Sequence, residues 1–201
     1  VTRALTLNEV PYEVKRRPEP LGEIVPYVWN EAVKLRPYQS EAVKAFLDSP
    51  NKARGIIKAA IRSGKTCMAS RIIFELRAKT LFIVPSQMLL RQTYEAIQNF
   101  LPGADVGFIG DGTWQEGDVT VATVQSLLAA KGSLERKCKG NWDADDNCKC
   151  GRGQCNGNRK YLTPPNPKYD EFMNSHDFLV VDELHHFREG LWGEVVRDSN
   201  A

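Results

Sequence analysis

The sequence predicts an α/β domain built on a mostly parallel sheet flanked by helices, with a Cys-rich insertion. Three observations carry that expectation. First, the short runs RGIIKAAI (54–61), TLFIV (80–84), DVTVA (118–122) and FLVVD (178–182) are β-branched and nearly continuously apolar, the pattern of strands buried on both faces of a parallel sheet. Second, segments 65–78 and 87–100 lie between those runs, have helix length, and carry apolar residues at three- and four-residue spacing, as at Ile72, Ile73 and Leu76. Strands alternating with helices give βαβ units. Third, residues 131–167 are rich in Gly, Asn, Cys and Pro and read as an insertion between two sheet strands.

The remaining pieces fit around that core. Residues 1–34 hold Pro11, Pro18, Pro20 and Pro26 and the basic run at 15–17, and read as an extended N-terminal arm; residues 35–201 make the main domain. At 201 residues there is room for one sizeable core. Apolar residues at 42% and charged residues at 26% exclude long disorder and fibrous repeats. No apolar stretch approaches the roughly 18 to 20 residues of a membrane span, and no basic segment followed by an apolar core opens the chain, so the expected setting is the cytoplasm, the nucleoid or the nucleus, with no membrane partner. The net charge of +2 is too balanced to imply nucleic acid by itself. Its distribution is uneven, however. Between Lys131 and Lys160 eight Lys or Arg face four Asp or Glu, a local +4 carried by Lys131, Arg136, Lys137, Lys139, Lys149, Arg152, Arg159 and Lys160.

Two motifs carry chemistry. AAIRSGKT at 59–66 falls between an expected strand and an expected helix, the setting of a phosphate-binding loop. Backbone N–H groups of Arg62, Ser63 and Gly64 and the positive end of the helix surround phosphates, Lys65 adds a point charge, and the Thr66 hydroxyl helps hold Mg²⁺. Ala59 stands where such loops usually carry their first Gly. FLVVDELHHF at 178–187 is an apolar strand ending in two carboxylates. Ligands of open α/β sheets gather at the carboxyl ends of strands, which makes Asp182 the metal-side candidate and Glu183 the group that orients and deprotonates an attacking water.

Together AAIRSGKT and FLVVDELHHF resemble the first RecA-like domain of superfamily 2 helicases and translocases. The Asp182-Glu183-Leu184-His185 run is similar to the DExH-box members, and with His186 it most resembles the branch of type III restriction subunits and double-strand DNA translocases. Three further segments match. LRPYQSEAV at 35–43 resembles the element in which Gln39 reads the adenine edge. LFIVPSQMLLRQ at 81–92 resembles the motif that contacts the nucleic-acid backbone, with Pro85, Ser86 and Gln92 in matching places. VTVATVQSLL at 119–128 resembles the next such motif, with Thr123 and Gln125 matching. The resemblance spans residues 35–187. It implies an ATPase using ATP and Mg²⁺, a DNA rather than an RNA track, and a role for His185 in linking the ATP site to that track. It also implies a second RecA-like domain, in cis or in trans, that completes the ATP site, and a Ser-Ala-Thr motif after the acidic one. Since the chain ends before either and begins at Val1, the expectation is a part of a longer motor with little activity by itself. The alternative from another class is a nucleotide-binding module or scaffold without motor activity.

Cys67 follows the phosphate loop within a helix and reads as a small packing residue. Cys138, Cys148, Cys150 and Cys155 cluster in the basic insertion, and in a reducing compartment four clustered thiols point to a structural zinc, with His176 as an alternative ligand. Cys148 and Cys150 are one residue apart, closer than the usual spacing.

Overall fold

Strand β1 (Thr80–Val84) lies in the sheet interior because each of its five residues is buried. Leu81 and Ile83 face one apolar cluster and Phe82 and Val84 the other, the period-two alternation of a strand covered on both sides. The computed structural model describes residues 25–49, 55–135, 160–163, 165–183 and 191–199. Its main sheet has the order β3-β2-β4-β1-β7, with β2 (Val106–Gly110), β3 (Thr113–Gln115), β4 (Val119–Thr123) and β7 (Phe178–Val181). Strands β2, β4, β1 and β7 run parallel, and β3 pairs antiparallel with β2 across a short turn. The mostly parallel α/β sheet anticipated from the apolar runs is therefore present.

Helices cover both faces. On one, α2 (Lys65–Leu76) contributes Ile73 and α3 (Gln87–Phe100) contributes Leu90 and Ile97 to a cluster with Phe82, Val84, Val119 and Val121. On the other, α4 (Val124–Lys131), α5 (Tyr169–Asn174) and α6 (Leu191–Asp198) bring Leu127, Phe172, Met173 and Val195 onto Leu81, Ile83 and Ile109. Helix α1 (Pro37–Leu47) packs Val43 against Met68 and Ile72 of α2. The last part of the expected arm belongs to this core. Tyr27 and Trp29 are buried, and the Tyr27 hydroxyl shares its proton between the Ala78 and Asp118 carbonyls at 3.0 and 3.2 Å. The insertion leaves and re-enters through a separate antiparallel ladder of β5 (Ser133–Glu135) and β6 (Lys160–Thr163).

One expected strand is corrected. Residues 55–60 have no regular structure, and Ile56 and Ile61 are 77% and 87% exposed. A strand exists only where a neighbour takes its backbone hydrogen bonds. The outer edge of β7, the sheet edge on this side, is separated from the segment by a cavity of about 540 Å³ lined by Phe46, Ile56, Ile57, Phe178 and Val180. Apolar composition alone therefore does not make this run a strand, and it lies beside the sheet and not within it.

Candidate nucleotide and nucleic-acid site

The phosphate loop turns through two left-handed residues, Arg62 at φ 64° and Gly64 at φ 78°. Only Gly takes that conformation without strain, so the Arg62 turn has to be held by its surroundings. Helix α2 then starts at Lys65 with no side chain capping its first turn. The N–H groups of that turn are left for another acceptor, and with the helix dipole they favour an anion. Ser63 carries a buried hydroxyl with no hydrogen-bond partner among the described residues. Lys65 Nζ lies 3.5 Å from the Ala59 carbonyl and 3.6 Å from a Glu183 carboxylate oxygen.

The two carboxylates arrive from β7. Pairing with β1 runs to Ile83↔Val181, and the Asp182 N–H continues the ladder by donating to the Ile83 carbonyl at 2.9 Å. Glu183 turns left-handed at φ 52°, and its N–H donates to Asp182 Oδ1 at 2.9 Å. Burial raises the Asp182 carboxyl above its ordinary range. The Glu183 N–H opposes that shift, the Glu183 charge adds to it, and the Lys65 ammonium opposes it. A half-buried carboxylate in that position gains from a cation beside it. Lys65, Thr66, Asp182 and Glu183 all line the cavity beside β7. An anion-ready helix start, a lysine, an unpartnered hydroxyl and a desolvated carboxylate are the donor and acceptor set that Mg²⁺ and a nucleoside triphosphate need, so the residues present fit both. Among the described residues no group of three or more His, Cys, Asp or Glu gathers to hold a metal ion by protein ligands alone.

Gln39 of α1 is buried and reaches the loop from outside, donating through Nε2 to the Ser63 carbonyl at 2.8 Å and accepting the Arg36 N–H on Oε1 at 2.8 Å. Sequence reading passed over its neighbour Tyr38, whose hydroxyl also donates to the Ser63 carbonyl, at 2.9 Å. The signal available was only its adjacency to Gln39.

At the same sheet edge, Ser86 caps α3 by accepting the Leu89 N–H, and Gln125 Nε2 donates to the Pro85 carbonyl at 2.8 Å. That bond ties the β1–α3 and β4–α4 turns together. Gln92 and Gln125 are exposed. Thr123 differs from expectation: it is fully buried, and its hydroxyl accepts the Ser126 N–H and donates to Ser126 Oγ at 2.9 Å. Burial and the bonds to Ser126 hold the Thr123 side chain in the turn, whereas Gln125 beside it is exposed.

Residues 32–201 match the family described as type III restriction enzyme, res subunit. The chain belongs to that family. The chain is 36% identical over 108 residues to the DNA 3'-5' translocase XPB2 of Sulfurisphaera tokodaii, covering 54% of this chain and 24% of that protein. The chain thus spans about a quarter of the curated relative it matches. A solved structure described as a hypothetical ATP-dependent RNA helicase from Sulfolobus tokodaii shares 24% identity over 48% of this chain and 31% of its own, with a TM-score of 0.41. Membership of the res-subunit family agrees with the family resemblance that the five motifs carry.

Other expected site residues are placed differently or lie elsewhere. His185 and His186 lie outside the described residues, as do Cys138, Cys148, Cys150 and Cys155 and the basic residues from Arg136 to Arg159, so the zinc site gains no support. His176, the alternative zinc ligand, is buried against Phe172 with Nδ1 2.8 Å from the Phe172 carbonyl. Lys131, the first of the basic residues, is paired with Asp198 at 2.9 Å. Cys67 is half-buried, and burial raises its thiol. No helix among the described residues is long and apolar enough to cross a membrane.

Proposed function

We propose that this chain is the first ATP-binding domain of a DNA translocase or helicase, and that it hydrolyses ATP when a second RecA-like domain completes the site. The observation that carries the proposal is the convergence of Lys65 and Thr66 with Asp182 and Glu183 on one cavity at the carboxyl edge of the sheet. Gly64 and the first turn of α2 bind the phosphates, Lys65 neutralises their charge, and Thr66 and Asp182 hold Mg²⁺. When bound, Mg²⁺ supplies Lewis-acid polarisation of the phosphate oxygens. Glu183 orients a water and takes its proton as the water oxygen bonds the γ-phosphorus and the bond to the β,γ-bridging oxygen breaks.

The Lys65–Glu183 pair gives this sequence an order. Both side chains are about one-third exposed, at 34% and 35%, so their pairing is worth under about 1 kcal/mol. Charge-assisted contacts to a triphosphate are stronger. Nucleotide binding therefore draws Lys65 from Glu183 towards the phosphates. A DNA track is favoured by the relative whose name includes DNA translocation and by the local +4 of the insertion. Ser86 and Gln125 supply backbone contacts beside the ATP edge, and His185 is the candidate link between the two sites.

The test is ATP hydrolysis with and without duplex DNA by the protein containing this chain. DNA should stimulate hydrolysis, and Glu183→Gln should lower the stimulated rate by about 10² or more while ATP binds at least as tightly, because the competing charge beside Lys65 is gone. Hydrolysis at the parent rate in Glu183→Gln contradicts the base assignment. Tight ATP binding with no response to any nucleic acid favours the nucleotide-binding scaffold instead.

A further inference from the structure

We propose that Tyr38 is a positioning residue of the nucleotide site, its hydroxyl holding the phosphate loop in the turn that receives the phosphates. The proposal rests on the reading of residues 62–66 as a nucleotide site. Ser63 sits between the two left-handed residues Arg62 and Gly64, so its carbonyl is the natural handle for the turn. Two side chains of α1 grip it from the same side: Tyr38 Oη at 2.9 Å and Gln39 Nε2 at 2.8 Å. A carbonyl oxygen has two lone pairs, and these two donors fill both. Arg36 supports the grip twice, through Nη1 donating to the Tyr38 hydroxyl at 3.3 Å and through its N–H donating to Gln39 Oε1 at 2.8 Å.

Gln39 cannot perform this task alone. Its amide is oriented by the Arg36 and Ser63 bonds, and each end keeps one further donor or acceptor position. A nucleobase drawing on that remaining capacity competes with the Ser63 bond whenever the amide shifts. The Tyr38 hydroxyl spends its one proton on the Ser63 carbonyl. The residue is 44% exposed, so core packing does not account for the placement of its hydroxyl. Space beside the loop is also tight: a Cβ on Gly64 would lie 2.5 Å from Gln39 Nε2, so the clamp and the glycine fix one another.

The experiment compares the protein with its Tyr38→Phe, Tyr38→Ala and Lys65→Ala variants, measuring dissociation constants for Mg-ATP, Mg-GTP and Mg-tripolyphosphate by calorimetry. Loss of one of two hydrogen bonds on the loop should weaken all three ligands by a similar factor, about three- to tenfold in Tyr38→Phe. A merely structural role would move the unfolding midpoint and leave tripolyphosphate affinity alone. Unchanged tripolyphosphate affinity in Tyr38→Phe overturns the proposal. So does a loss seen for ATP and GTP only in Tyr38→Ala, which would mean that the ring stacks on the base. Equal binding of all three ligands by Lys65→Ala and the parent overturns the nucleotide-site reading itself, and Tyr38's role with it.

Discussion

Helix α2 and helix α3 both begin at the carboxyl edge of the sheet, yet their first turns are finished in opposite ways. At α3 the Ser86 hydroxyl accepts the Leu89 N–H, so the start is capped from within, and Thr123 does the same for α4 through Ser126. At α2 the cap position is Gly64, left-handed and without a side chain to offer. The loop before it is held from outside, by Gln39 and Tyr38 on the Ser63 carbonyl. A self-capped helix start has used up part of its capacity for an anion. One propped from a neighbouring helix keeps its N–H groups for phosphate. Structure and binding are thereby separated: α1 supplies the stability that α2 gives up.

Substitutions at the two starts should diverge. Gly64→Ala combines the cost of a left-handed Ala with a Cβ 2.5 Å from Gln39 Nε2, and should lower stability by about 3 to 4 kcal/mol and abolish nucleotide binding. Denaturant unfolding and calorimetry measure the two effects, and a stable Gly64→Ala that binds ATP normally would erase the distinction.

The opposite end of the sheet supplies an acid-sensitive contrast. Burial holds the His176 imidazole down at about 4, below its ordinary 6.5, against the raising effect of its bond to the Phe172 carbonyl. The unfolded chain takes up the proton first. Stability is therefore complete above about pH 6.5 and falls as pH drops toward 4, by up to about 3 kcal/mol. His176→Gln, which keeps a donor for the Phe172 carbonyl, should flatten the fall between those two values, and an unaltered pH profile would place the acid lability elsewhere.

The smallest effect belongs to the self-capped helix. Ser86→Ala should cost about 1 kcal/mol of stability, measurable by denaturant midpoint, with ATP affinity unchanged. Any loss of ATP affinity there would couple α3 to the nucleotide site.

Much of this was legible in the residues. The strands at 80–84, 118–122 and 178–182 are continuous apolar runs whose burial on two faces needs no other signal, and Lys65, Thr66, Asp182 and Glu183, which two short motifs single out, line one cavity. The segment 54–61 has the same composition and forms no strand among the described residues, because pairing depends on a neighbour that a single run cannot reveal. Thr123 matched a motif but spends its hydroxyl on Ser126, since a residue at a strand's end is equally placed to cap the next helix. Tyr38 was missed because its role depends on a carbonyl 25 residues away, a distance no local pattern encodes. Tyr27 and Trp29 fall in the stretch read as an extended arm, because flanking prolines say nothing about which side chains find the core.

The most direct measurement is Mg-ATP affinity in the protein and in Lys65→Ala, with circular dichroism confirming the fold of both. A loss of at least about 10- to 100-fold on removing the lysine charge is predicted, with the folded state intact because the Lys65–Glu183 pair contributes little to stability. A folded Lys65→Ala protein that binds Mg-ATP as tightly as the parent would contradict the assignment of residues 62–66 and 182–183 as an ATP site.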